Sequence, residues 1–469
     1  MSLGTAAEGD TKRLGTAAEG DTKRASIVIR GGTVMTLDDA GSVRRADVRT
    51  EGNRITAVAE AIEPGPADHV IDATGMVVLP GFVQTHIHLC QTLFRNLADD
   101  LALLEWLQQR VWPLEASHSR ASLSASARLG VAELLLGGTT AIVDMGTVHH
   151  TEAVFEALEA GGMRAIAGKC MMDDPSCPDG LREATDDSIA ESLQLAKKWN
   201  GAANGRIRYG FAPRFILSCT DALLAQVATL AAEGGFYVHT HSSENVDEIA
   251  IVGARSGGMR NVLALAAHGI RGERTVLAHC VHLDEAELAE LVAAGTRVSH
   301  CPSSNLKLGS GIADVPGLLA AGAHVSIGAD GAPCNNRLDM WTELRTAALI
   351  QKPRHGSTAM PAELVLRMAT RSGAEAIGMG DSLGQVREGF IADLQVVALD
   401  ELGTGPGGRL ASRLVYAAER SQVRHVIVDG AILVEDGRLV RWDKQAIAAD
   451  AQRELAGCLI RAGLTALSS

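Results

Sequence analysis

The sequence predicts an α/β protein, a (β/α)8 TIM barrel inserted in a small β-sandwich that both chain ends build. Three observations predict it. Eight apolar, strand-like runs recur between Met76 and Ile377, each followed by an Ala- and Leu-rich stretch long enough for a crossover helix. Short alternating strands separated by turn residues precede this region and return after it. At 469 residues the chain exceeds what one hydrophobic core ordinarily holds, so a large domain with a smaller companion is the natural division.

The elements follow in order. Residues 1–24 contain a perfect tandem repeat, Leu3 to Arg13 and Leu14 to Arg24, whose Gly-, Thr-, Ala- and charge-rich composition reads as a disordered or expression-derived extension. Residues 25–78 hold short strands with turn signals, such as Ile27-Val28-Ile29-Arg30-Gly31-Gly32, and form the N-terminal part of the sandwich. Residues 79–380 are the barrel, with strands expected to end at His88, Met145, Met172, Phe215, His241, His282, Ser304 and Gly331. Residues 381–443 return to the sandwich through Ala392-Asp393-Leu394-Gln395-Val396-Val397 and His425-Val426-Ile427-Val428-Asp429-Gly430, and 444–469 form a C-terminal helix.

Composition narrows the function. Hydrophobic residues make up 46% of the chain but aromatic ones only 3%, so the core is aliphatic. A net charge of −13 disfavours nucleic acid and anionic membranes, whose binding depends on clustered Lys and Arg, and favours a small-molecule substrate. No apolar run approaches the roughly 20 residues of a membrane span. Eight cysteines without a C-x-x-C pair read as reduced thiols of a cytoplasmic protein.

Chemistry enters with Gln84-Thr85-His86-Ile87-His88 at the end of the first barrel strand. Residues i and i+2 of a strand share a face, so both imidazoles can reach one cation in the barrel mouth. A pair of hydrogen-bonded histidines is the plain alternative. Further candidate ligands stand at other strand ends, His241, His279 and Asp330, and such ends converge on the catalytic face of a barrel. His86, His88, His241 and Asp330 would give three nitrogens and one carboxylate, leaving a position for water on a metal such as zinc. An aromatic C–NH2 carbon is a poor electrophile, and a bound divalent metal makes hydroxide available near neutral pH. Asp330 suits removal of the water's proton, and Glu244, three residues after His241, suits proton delivery to the ring and the leaving amine. A solvated surface carboxylate is the other reading of Glu244.

These segments resemble the amidohydrolase superfamily, in the branch of S-adenosylhomocysteine/5′-methylthioadenosine and 5′-deoxyadenosine deaminases, guanine and 8-oxoguanine deaminases, and triazine hydrolases. The resemblance rests on Leu79-Pro80-Gly81-Phe82 leading to His86-x-His88, on His241-x-x-Glu244, Ala278-His279-Cys280, Cys301-Pro302-x-Ser304-Asn305-Leu306-Lys307-Leu308, Gly328-Ala329-Asp330-Gly331, and Gly389-x-x-Ala392-Asp393-Leu394. It implies one zinc or iron on His86, His88, His241 and Asp330, with His279 beside the attacking water and Glu244 as proton shuttle. Two-metal relatives carry a lysine on the fourth strand; Arg208-Tyr209-Gly210-Phe211-Ala212-Pro213-Arg214 offers none, which favours a single ion, and Lys169 on the third strand reads as structural. The resemblance also implies a homo-oligomer.

Substrate signals diverge. Trp106 and Glu115 match positions where methylthioadenosine-type deaminases place an aromatic and a ribose-binding carboxylate, a sensible clamp for vicinal hydroxyls; a helix-surface Glu beside a Trp core anchor is the alternative. The stretch from Asn305-Leu306-Lys307-Leu308 through Asp330-Gly331-Ala332-Pro333-Cys334-Asn335-Asn336 resembles the same subgroup. Gln91 and Pro213-Arg214-Phe215 instead resemble guanine deaminases, and Arg214 could equally pair with an acid such as Asp173. The sequence thus predicts hydrolytic deamination of an adenine nucleoside. The alternatives are a guanine, 8-oxoguanine or pterin deaminase, a triazine hydrolase, and an inactive binding barrel.

Overall fold

The structure, a computed structural model, describes residues 26–400 and 402–468, so the duplicated segment 1–24 lies outside the described residues. Eight barrel strands run in parallel: Phe82–His88, Thr139–Met145, Arg164–Gly168, Ile207–Pro213, Tyr237–Ser242, Thr275–His279, Arg297–His300 and His324–Ile327. The ring closes through Asp330–Gly331, which continues the last strand and pairs with Ile87 and His88 of the first.

Five strand ends differ from the sequence reading, the fifth strand running one residue past His241 to Ser242. The third strand stops at Gly168 and resumes only for Cys170–Met171, short of Met172. The fourth ends at Pro213, and Phe215 keeps a single bridge to His241. The sixth ends at His279 and not His282, because His279 and Cys280 take φ of +74° and +49°, outside the extended region. The seventh ends at His300 and not Ser304, because Pro302 opens the helix Pro302–Lys307 and has no N–H for a ladder.

Alternation along the strands sorts the side chains. Ile142, Tyr209, Phe211, Leu277 and Val298 pack outward with the surrounding helices, while Val83, Val143, Ile166 and Val276 fill the lower interior. Higher up, the Thr85 hydroxyl meets Ser299 Oγ at 2.7 Å and Ser326 Oγ at 2.8 Å. The first strand's pairing slips between Gln84 and Ile87, so the consecutive residues Thr85 and His86 both reach the interior.

The chain ends build a second sheet of nine strands with its own apolar core, including Ile29, Val48, Ile55, Val78 and Val396. Its seam is the antiparallel pairing of Met76–Pro80 with Leu394–Ala398, which places Pro80 opposite Leu394 and Met76 opposite Ala398. A buried ion network fastens this sheet to the barrel: Arg164 Nε lies 2.9 Å from Asp393 and its Nη2 3.3 Å from Asp429. The C-terminal helix Lys444–Arg461 is capped by Asp443, which accepts from the N–H groups of Gln445 and Ala446. It lies on the helix Arg120–Leu136, with Arg128 Nη1 3.1 Å from Asp450, and buries Cys458 and Leu459 with Phe94 and Leu114. Among the described residues no helix is long and apolar enough to cross a membrane.

Candidate active site

Strands one, five and eight bring His86, His88, His241 and Asp330 together, with their ligand atoms all within 4.8 Å of one another. Nε2 of His86 and of His88 lie 3.1 and 3.3 Å from Asp330 Oδ1, and the His88 and His241 Nε2 atoms are 3.2 Å apart. The opposite ring nitrogens are held from outside. His88 Nδ1–H donates to the Met145 carbonyl at 3.0 Å, and His241 Nδ1–H to the Arg214 carbonyl at 2.5 Å. That tautomer turns two Nε2 lone pairs toward the centre. His86 Nδ1 pairs with His239 Nε2 at 2.8 Å.

Burial disfavours the cationic imidazoles, driving His88 down to about 3 and His241 well below its usual range. Asp330 goes the other way. Burial pushes its pKa upward, but His86, His279 and His88 outweigh it and hold the carboxyl well below the usual carboxylate range. Neutral histidines, an ionised aspartate and a buried His86 Nε2 without a hydrogen-bond partner form a donor set that fits one divalent ion.

Next to this set stand the acid–base candidates. His279 donates from Nδ1 to Asn305 Oδ1 at 2.8 Å, leaving Nε2 3.4 Å from Glu244 Oε2 and 3.8 Å from Asp330 Oδ2. Burial lowers its pKa, but Glu244 and Asp330 reverse that and raise it. Glu244 is itself raised by burial, and its Oε1 accepts from Ser310 Oγ at 3.1 Å. Asp330 Oδ2 accepts from Ser304 Oγ at 2.6 Å. Ser243, His279, Cys280 and Asp330 all sit at positive φ, the backbone strain that rigid surroundings maintain at working sites.

The cleft above, about 420 Å³ including its mouth, has a mixed lining. Polar Gln91, Arg214, Glu244 and Glu248 share it with apolar Leu103, Trp106, Leu107, Phe215 and Leu308. A flat heteroaromatic ring fits that mixture. Of the six residues expected at the substrate, Gln91, Trp106, Arg214 and Phe215 line the cleft, and two do not. Glu115 stands behind the lining residues, its carboxylate accepting from Arg214 Nη1 at 2.5 Å and Gln91 Nε2 at 2.8 Å. Asn335 donates to the Ala329 carbonyl at 2.7 Å and to Glu343 at 2.9 Å, and so braces the backbone that carries Asp330. Asp173 is not the partner of Arg214; it accepts from Thr220 and Thr185. Lys169 is buried, donating to the Val148 carbonyl at 2.9 Å and to Glu183.

Sequence reasoning missed three contributors. His239 shares its strand face with His241, so the i, i+2 rule that found His86 and His88 applied to it as well. Asn305 stood inside a motif already singled out. Glu248 reaches the cleft as the fourth residue of an N-x-x-E capping box begun by Asn245, and burial pushes its carboxyl up to about 7.

Residues 77–433 match the Amidohydrolase family, and the chain belongs to it. Among its relatives, the 5′-deoxyadenosine deaminase of Methanothermobacter thermautotrophicus is 40% identical over 88% of this chain and 94% of its own. The 5-methylthioadenosine/S-adenosylhomocysteine deaminase of Pelotomaculum thermopropionicum is 39% identical over 91% and 97%. A solved adenosine deaminase from Xanthomonas campestris with bound zinc superposes with a TM-score of 0.87 at 32% identity, covering 92% of this chain and 98% of that one.

Proposed function

We propose that the chain is a metal-dependent aminohydrolase that replaces the exocyclic amino group of an adenine nucleoside by oxygen and releases ammonia. The observation that carries this reading is the buried Glu244–His279–Asp330 constellation beside a three-histidine, one-carboxylate donor set at the floor of a ring-sized cleft. The relatives named above support the nucleoside. His86, His88, His241 and Asp330 hold one ion, zinc with iron as the alternative; when bound it supplies the Lewis acidity that brings water's pKa near 7.

The side chains divide the remaining work. Asp330 is ionised and takes the proton of the attacking water. His279 directs Nε2 between Glu244 and Asp330, where it orients the incoming oxygen. Glu244, whose pKa burial raises, is the group placed to pass a proton to a ring nitrogen. The ring carbon becomes tetrahedral, Asp330 gives the proton it took to the amino group, and neutral ammonia departs as the new hydroxyl passes its proton to Glu244 and the C=O forms.

A specific observation favours a second reading. Glu115 fixes Arg214 and Gln91 together at the wall, and an arginine fork beside an amide suits the carbonyl and ring nitrogens of an oxopurine such as guanine or 8-oxoguanine. Ammonia release by the zinc-loaded chain from 5′-deoxyadenosine, 5′-methylthioadenosine, adenosine, guanine and 8-oxoguanine decides between them. Highest kcat/KM on a nucleoside sustains the first reading, highest on a free oxopurine replaces it with the second, and no release from any of them ends both.

A further inference from the structure

The N-terminal end of the barrel holds a second cavity, about 810 Å³ including its mouth, that the reaction does not use. Strand alternation builds its lining. Ile207, Tyr209 and Phe211 pack outward, so Arg208 faces inward. Val276 lies in the lower interior and Ser299 meets Thr85 in the layer above, so Arg274 and Arg297, each two residues earlier, take the inward side of their strands. Tyr237 completes the layer, two residues before His239 and only 7% exposed. Arg208 begins the fourth strand's inward row and Arg214 follows just past that strand's end, six residues on, which separates this cavity from the cleft by about 20 Å.

Three arginines gather here in a chain whose net charge is −13. They are anchored by neutral groups. Arg208 Nη2 donates to the Ile377 carbonyl at 2.6 Å and its guanidinium lies 5.4 Å over the Tyr237 ring, while Arg274 Nη1 donates to the Gly235 carbonyl at 2.6 Å. Among the described residues neither has a carboxylate at ion-pairing distance. Arg297 has only a 3.7 Å contact with Glu273, itself 77% exposed, and its Nε is buried without a hydrogen-bond partner. The other acid of the lining, Glu375, is engaged by His324 and Arg371. Gly378 and Gly235 leave room that a methyl group would take from the Tyr237 hydroxyl and the Arg274 guanidinium.

Unpaired guanidinium groups crowded into a half-buried cavity are costly unless an anion joins them, and their planar forks match the oxygens of a phosphate. We propose that this cavity binds phosphate, free or as the phosphomonoester of a small molecule, through Arg208, Arg274 and Arg297, with the Tyr237 hydroxyl as a neutral donor. The proposal is independent of the deaminase reading, since none of these residues touches the cleft.

Calorimetric titration of the full chain with inorganic phosphate and with glycerol 2-phosphate, at constant ionic strength held by KCl, tests it. Binding of at least one with Kd below about 1 mM is expected, together with a higher melting temperature than in KCl alone. Tighter binding of the free ion or of the ester identifies which source the cavity takes. Arg274→Gln, at the exposed rim, weakens binding at least about tenfold. Arg297→Gln does the same, and Tyr237→Phe costs less because it removes one neutral donor. The proposal fails if neither anion binds, if phosphate stabilises no more than chloride, or if folded Arg274→Gln and Arg297→Gln chains bind as tightly as the parent.

Discussion

Arg214 donates Nη1 to one oxygen of Glu115 at 2.5 Å and Nη2 to the other at 3.3 Å, with both side chains buried. Burial disfavours the Arg214 cation, but the adjacent carboxylate outweighs it and raises the pKa further. The pair makes Glu115 a positioning residue for the cleft wall.

Glu115→Ala leaves the guanidinium buried and uncompensated, which costs about 3–5 kcal/mol of stability. Denaturant unfolding measures that loss. Turnover of a nucleoside and of its free base should fall by similar factors, since the wall moves for both. A selective loss on nucleosides would instead assign Glu115 a direct ribose contact.

Glu244→Gln keeps the shape and removes the proton. We expect kcat to fall by about 10²–10⁴-fold with bound metal unchanged. Parallel metal analysis and ammonia release check both halves of that statement, and undiminished kcat would remove Glu244 from the chemistry.

His239→Ala strips His86 Nδ1 of its partner at 2.8 Å without touching the donor set. Outer partners of this kind are worth about 10–100-fold in metal affinity. Competition against a chromogenic chelator reads the change directly. Unaltered affinity would mean that packing alone orients His86.

His118 lies between the Cys90 carbonyl, 2.7 Å from Nε2, and Ser122 Oγ, 3.0 Å from Nδ1. Burial lowers its pKa from 6.5 to about 4. Above pH 6.5 the imidazole is neutral whether the chain is folded or not, and its contribution to stability is complete. As pH falls from there, the unfolded chain takes up the proton first, so stability is lost through the folded value near 4. The loss from pH 7 to pH 5 is about 2 kcal/mol. Urea unfolding at the two pH values should show a correspondingly smaller drop in His118→Gln.

The ligand set and the barrel were legible because their signals are local. His86-x-His88, His241 and Asp330 stand at strand ends, and eight strand-like runs with crossover stretches admit few arrangements. The bonds of Glu115 to Arg214 and Gln91 were not legible because those partners are distant in sequence, and nothing local distinguishes a carboxylate aimed at a sugar from one aimed at a guanidinium. The bracing bonds of Asn335 to Ala329 and Glu343 were hidden similarly, since they depend on how one loop folds over another. Strand ends were read too long where the apolar pattern continued past residues of positive φ, as at His279 and Cys280. The arginine layer went unnoticed because a lone Arg at a strand's start reads as a surface charge until alternation around the ring shows which way it faces.

The seam between Met76–Pro80 and Leu394–Ala398 sets a schedule for synthesis. Until residue 398 has left the ribosome, the early strand offers an open, apolar edge that nothing in the nascent chain can cover, while more than three hundred intervening residues emerge. A chain cut short inside the barrel would therefore lack its closing eighth strand and also present that edge to any neighbour. Truncated forms should partition into aggregates or chaperone complexes rather than persist as free, half-finished enzymes.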